Sequence, residues 1–162
     1  MAGSILQGKR LLAVDDEIDV LETFREMVLA EVPDCHIDQA LSYEEASALI
    51  ANNAYDLVVL DIMGVRGFDL LEAAVQRYFK VAMLSAHAMT PEALMRSYKM
   101  KAHAFLPKEK LADIVPFLED VLTYDYETGW KRLLKKLRPF FRDRFESDWE
   151  LKTGLPWREW SK

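Results

Sequence analysis

The chain has 162 residues, 51% of them hydrophobic and 30% charged, with a formal net charge of −6. That suffices for one globular domain with a sizeable core plus an appendage. It lacks the ~18 consecutive apolar residues of a membrane helix and the 7–15-residue apolar stretch of a secretory leader. With Cys35 as the only cysteine, an intrachain disulfide and a cysteine-based zinc cluster are excluded. A cytoplasmic location is expected, with Cys35 a small buried hydrophobe.

The predicted elements alternate along the chain. Arg10 to Val14 is a short apolar run without alternation, as in a parallel strand buried on both faces. A helix starts at Asp16 or Glu17, with Val20, Leu21, Phe24, Met27 and Val28 on one stripe, and Pro33-Asp34 breaks it. Cys35 to Gln39 is a second strand. Ser42 and Glu45 form a capping box for a helix through Ile50, which Asn52-Asn53 ends. Leu57 to Leu60 is a third strand and Phe68 to Tyr78 a third helix. Val81 to Leu84 is a fourth strand, and Thr90-Pro91 opens a helix to about Met100. Ala104 to Leu106 is a fifth strand and Leu111 to Leu122 a fifth helix. Five βα units imply right-handed crossovers and a doubly wound parallel sheet.

From Thr123 onward the composition changes. This tail is basic, about +3, against −9 for the rest, and it holds all four tryptophans. Trp130, Leu133, Leu134 and Leu137 sit at i, i+3, i+4 and i+7, an amphipathic helix. Pro139 is expected to end or kink it. A second helix would then carry Phe141, Phe145 and Trp149, stopped by Gly154 and Pro156. The stripe Trp130, Leu134, Leu137, Phe141 and Phe145 is expected to bury itself on the fifth helix or across a two-fold contact, because exposed aromatic patches mark contact sites.

Chemistry-bearing residues close the apolar runs. The first strand runs into Asp15-Asp16-Glu17, the third into Asp61, the fourth into Ser85, and the fifth, through Pro107, into Lys108. In open α/β sheets this edge is where ligands bind. Acid pair, acid, hydroxyl and amine together can hold a divalent cation and stabilise a phosphoryl group on a carboxylate. His87, two residues past Ser85, is expected in a solvated loop near the pocket mouth; His36 and His103 show no ligand spacing. Four methionines, Met83, Met89, Met95 and Met100, fall between the fourth strand and the end of the fourth helix. Most are expected to fill the core.

Taken together, residues 9 to 122 resemble the receiver domain of two-component response regulators. The resemblance rests on Asp15-Asp16, Asp61, Ser85-Ala86 and Phe105-Leu106-Pro107-Lys108. It implies a flavodoxin-like sheet of order 2-1-3-4-5, with residues 123–162 a helical extension. It implies Asp61 as phosphoacceptor. It also implies that Ser85 and Phe105 are switch residues that remodel the face of helix four, strand five and helix five. Two neighbouring carboxylates at ~6 Å and an effective dielectric of ~20 repel by about 3 kcal/mol, and Lys108 alone cannot balance three. Mg²⁺ fits this set, with Asp16, Asp61 and the backbone carbonyl of Met63 as ligands and Asp15 acting directly or through water. Lys108 and Ser85 would serve the phosphoryl oxygens.

Two departures stand out. The loop Met63-Gly64-Val65-Arg66-Gly67 is about two residues shorter than usual in the family. Lys108 is followed by Glu109, where the family usually has proline. The implied function is a phosphorylation-dependent signalling switch. A sensor histidine kinase or phosphotransfer protein would be upstream and a protein partner downstream, with a homodimer as one option. Its catalysis would be limited to self-phosphotransfer and autodephosphorylation, with no separate catalytic output domain. The alternatives are a receiver-like interaction module that never carries phosphate and works through its extension, and, further off, a DNA-binding regulator. With seven acids in a 40-residue tail, specific DNA binding is not expected.

Overall fold

The computed structural model describes residues 3–86, 90–145 and 150–151. Five strands, β1 (Arg10–Val14), β2 (His36–Ala40), β3 (Leu57–Asp61), β4 (Lys80–Ser85) and β5 (Ala104–Pro107), form one sheet in the order β2-β1-β3-β4-β5. Every pairing is parallel. Between them run α1 (Ile18–Glu31), α2 (Tyr43–Asn52), α3 (Gly67–Gln76) and α4 (Pro91–Lys99). α5 (Ile114–Thr123) follows a 3₁₀ segment, Lys108–Asp113, and α6 (Tyr126–Arg144) closes the series. This is the expected doubly wound order.

The local signals explain most boundaries. Ser42 and Thr90 accept hydrogen bonds from the backbone N–H groups of Glu45 and Ala93, capping α2 and α4. All five residues of β3 are buried, as a central strand covered on both faces requires. Pro107 lies on the edge strand β5, where a missing N–H costs no ladder bond. Lys80 donates to the carbonyls of Val121 and Leu122, closing the end of α5 against β4. Cys35 is buried, as expected.

Most strand and helix ends shift by one or two residues, and three differences have a local cause. α3 begins one residue earlier, at Gly67, because Arg66 adopts the left-handed conformation (φ 55°) at its N-cap. Leu111 belongs to the 3₁₀ segment, and α5 starts only at Ile114. The third difference is in the tail. α6 is one helix that passes through Pro139 and ends at Arg144, with no break. Pro139 and Lys135 lie on its exposed side, so the Lys135 carbonyl that loses its helical partner can turn to water. Trp149, Trp157, Trp160, Gly154 and Pro156 lie outside the described residues, as do His87 and Met89.

α6 packs on the side of the sheet formed by α4, β5 and α5. Its stripe of Trp130, Leu133, Leu134, Leu137 and Phe141 is buried, and Phe145 packs partly buried beside it. The Trp130 indole N–H donates to the Ala102 carbonyl at 2.8 Å, just ahead of β5. The Tyr126 hydroxyl donates to the Tyr98 carbonyl at the end of α4. The rings of Tyr98, His103, Tyr126 and Trp130 pack edge-on or tilted in one cluster. The stripe is therefore satisfied within one molecule, the first of the two options its periodicity allowed.

Candidate functional site

The C-terminal edge of the sheet brings the strand-end residues together. Asp15 follows β1, Asp61 ends β3 and Ser85 ends β4; all three are buried. Lys108 follows β5 and spans the gap. Its ammonium group lies 2.8 Å from Asp15 Oδ2, 3.2 Å from Asp61 Oδ1 and 3.6 Å from Glu17 Oε2. Glu109 at the family's proline position thus leaves the lysine able to reach both buried carboxylates. Asp15 also accepts the Glu17 N–H at 2.9 Å, turning the chain into α1.

Asp15, Asp16 and Asp61 each offer a carboxylate oxygen within 4.8 Å of the others. Asp16 is exposed, at the mouth of the cluster, and packs against Gly64. A Cβ at Gly64 would fall 2.4 Å from Asp16 Oδ2, and its φ of +84° also favours glycine. At Gly67 a Cβ would fall 2.1 Å from the Asp61 carbonyl. Two glycines therefore let the short loop fold tightly over Asp61, closed by the Gly67 N–H to the Ile62 carbonyl at 3.1 Å. Met63 stands in this loop with its side chain exposed. Oxygen donors with a cradle that only glycine leaves open fit a hard divalent cation such as Mg²⁺.

The electrostatics follow from burial. Desolvation, reinforced by the charge of Asp15 and more weakly of Asp16, pushes the Asp61 carboxyl up to about 6, although Lys108 opposes the rise. Asp15 is raised for the same first reason, burial, with Lys108 and the Glu17 N–H acting against it. For Lys108 burial favours the neutral amine, but the hydrogen bond to Asp15 and the charges of Asp61 and Asp15 outweigh it and raise its pKa. Ser85 Oγ is buried without a hydrogen-bond partner among the described residues, a cost natural sites rarely carry without a use. Leu84, the residue before it in β4, is in register with Asp61 of β3. The site thus combines an electron-rich carboxylate, a fixed cation and an unused hydroxyl, a set suited to receiving an anionic group on Asp61.

The comparisons agree with this geometry. The family model for the response regulator receiver domain matches residues 11–118. The chain belongs to the response regulator receiver family. The receiver domain of NtrX from Brucella abortus superposes with a TM-score of 0.61 at 27% identity, covering 71% of this chain and 99% of that one. A two-component response regulator of the LuxR family from Aurantimonas sp. gives 0.64 at 21% identity, over 72% of this chain and 86% of that one. A CheY-like receiver domain protein from Methanospirillum hungatei gives 0.55 at 22% identity, over 83% and 94%. No curated protein matches the chain. All of α6 lies beyond the residues matched by the family model.

Phe105 is fully buried in β5, in register with Met83, two residues before the Ser85–Pro107 pairing. Its ring lies 6.1 Å from that of Phe141 on α6. The sequence offered no signal for this pairing, nor for Glu17 beside Lys108 or for Gly64 under Asp16, because each joins residues from different loops or elements. His103, without ligand spacing, is a structural residue. Its Nδ1 accepts the Val81 N–H at 3.3 Å, and burial, helped by the charge of Lys80, lowers its pKa to about 4. His36 is exposed on the edge strand β2. Among the described residues no helix is long and apolar enough to cross a membrane.

Proposed function

We propose that this receiver accepts a phosphoryl group on Asp61 from a phosphohistidine of a sensor kinase or phosphotransfer protein. The observation that carries the reading is Lys108, held between the buried Asp15 and Asp61 carboxylates, with a Ser85 hydroxyl that has no hydrogen-bond partner among the described residues at the same sheet edge. An Asp61 oxygen attacks phosphorus, the phosphorus–nitrogen bond breaks, and the imidazole leaves with the bonding pair. Lys108 pairs one phosphoryl oxygen and Ser85 donates to another. The carboxylates of Asp15, Asp16 and Asp61, with the Met63 carbonyl, would hold Mg²⁺. The ion supplies positive charge to carboxylates and phosphoryl oxygens that otherwise repel. No activity beyond this self-phosphotransfer and the hydrolysis of the acyl phosphate is assigned.

In this reading residues 9–122 are the receiver and 123–162 its extension. Ser85 and Phe105 carry the switch by shifting a pre-existing equilibrium, and the face of α4, β5 and α5, with α6 docked on it, passes it to a protein partner. Intact-mass measurement after incubation with acetyl phosphate and Mg²⁺ tests the proposal. One added phosphoryl group is expected, and none in Asp61→Asn, whose amide is a poor nucleophile. A parent protein that takes up none would favour a constitutive interaction module instead. Uptake by Asp61→Asn on the same peptide would overturn the assignment of Asp61.

A further inference from the structure

The segment that carries Lys108 also holds the end of α6. Three residues before Lys108, Phe105 packs its ring against Phe141, and both rings are fully buried. One residue after it, Glu109 pairs with Arg144. Two residues after it, the Lys110 ammonium lies 5.6 Å from the Phe140 ring, which the Arg144 guanidinium also covers at 4.7 Å. The N-terminal part of α6 is gripped elsewhere. Trp130 bonds Ala102, Tyr126 bonds Tyr98, and Arg132 and Lys136 pair with Asp120 of α5. Pro139, which lacks the N–H that would bond the Lys135 carbonyl, separates the two sets of contacts.

From this arrangement we infer that the last turns of α6, Phe140 to Arg144, read the state of Asp61 through the Lys108 segment, while Tyr126 to Leu137 stay docked. The inference rests on the phosphoacceptor reading above. A phosphoryl group adds about −1.5 to −2 charge and places the oxygens that Lys108 must pair one bond further out along the Asp61 side chain. Lys108 is the first residue of the tight 3₁₀ segment Lys108–Asp113, so its backbone cannot move without Glu109 and Lys110. The grips on Phe140, Phe141 and Arg144 fit the present position of Lys108, and its displacement loosens them. Coupling is reciprocal: weakening those grips must make an anion at Asp61 bind more tightly. The receiver would thereby signal through a hinge within its own C-terminal helix.

Hydrogen exchange on the full chain, with and without beryllofluoride and Mg²⁺, tests this, with ¹⁹F NMR reporting beryllofluoride bound at the site. Backbone amides from 138 to 145 should exchange at least threefold faster when the site is filled, and those from 126 to 137 should not change. Arg144→Ala, an exposed substitution, and Phe141→Leu should each tighten beryllofluoride binding severalfold, whereas Lys135→Ala on the open face of α6 should not. Bound beryllofluoride with unchanged or slower exchange at 138–145 overturns the coupling and leaves the phosphoacceptor reading standing. Equal affinities in parent, Arg144→Ala and Phe141→Leu overturn it as well. A parent protein that binds no beryllofluoride overturns both readings together.

Discussion

Asp61 is ionised in a place that resists ionisation. Its carboxyl titrates near 6 instead of the ordinary 3.8, first because it is buried and then because Asp15 faces it. Between those values the folded chain holds a proton that the unfolded chain has released. Stability therefore falls as pH rises through that window, and the loss is complete above it. A shift of this size corresponds to a destabilisation on the order of 3 kcal/mol at pH 7. Asp61→Asn should accordingly raise the urea midpoint of the metal-free protein at pH 7, with the gain shrinking toward pH 4. A pH series of denaturation curves checks it, and a variant no more stable than the parent at pH 7 would contradict the electrostatics. Gly64 belongs to the same scale. In Gly64→Ala the new Cβ would overlap the Asp16 carboxylate, so Mg²⁺ affinity should fall by roughly tenfold or more. Calorimetric titration reads this directly, and unchanged affinity would remove Asp16 from the ligand set.

At the scale of elements, α6 is the feature that departs most from expectation. Its apolar stripe was visible as a 4-3-4 spacing of Trp130, Leu134, Leu137 and Phe141, and the helix holds that face against β5 and α5. Trp130 anchors it. The indole is fully buried, bonded to Ala102 and flanked by Tyr98 and Tyr126. Removing such a side chain leaves a large cavity and an unpaired carbonyl. Trp130→Ala should therefore cost about 3–5 kcal/mol, measured by equilibrium denaturation. Trp130→Phe should restore part of that loss, because it refills the space without the hydrogen bond. A cost under about 1 kcal/mol for Trp130→Ala would mean that α6 is not docked in solution.

For the whole molecule, the acidic front and the basic tail meet in cis. Asp120 pairs with Arg132 and Lys136, and Glu109 with Arg144. These pairs are exposed to partly exposed and each contributes little, so the buried stripe dominates the docking. With that stripe satisfied inside one chain, light scattering should give a monomer. Deleting residues after Tyr124 should lower the receiver's stability without changing its oligomeric state. A full-length dimer that the deletion converts to monomer would show instead that the stripe joins two copies.

The residues of the site were legible because each ends a local pattern. An apolar run of four or five residues closed by Asp15, Asp61, Ser85 or Lys108 is a strand whose end lies on the ligand edge, and the alternation with helices orders the strands. Capping by Ser42 and Thr90 was equally local, read within three residues. What those residues do to each other was not local. Lys108 stands 93 positions from Asp15 and 47 from Asp61, so its ion pairs, the raised pKa of Asp61 and the orphaned Ser85 hydroxyl exist only once the sheet has formed. The same holds for α6. Periodicity showed an apolar face without naming its partner, and Pro139 argued for a break that the fold avoids by turning that part of the helix to water. Sequence determined which side chains reach the edge and which face of the tail is apolar. Tertiary structure alone decided that the tail lies across α4, β5 and α5, because docking depends on a surface that those elements assemble together.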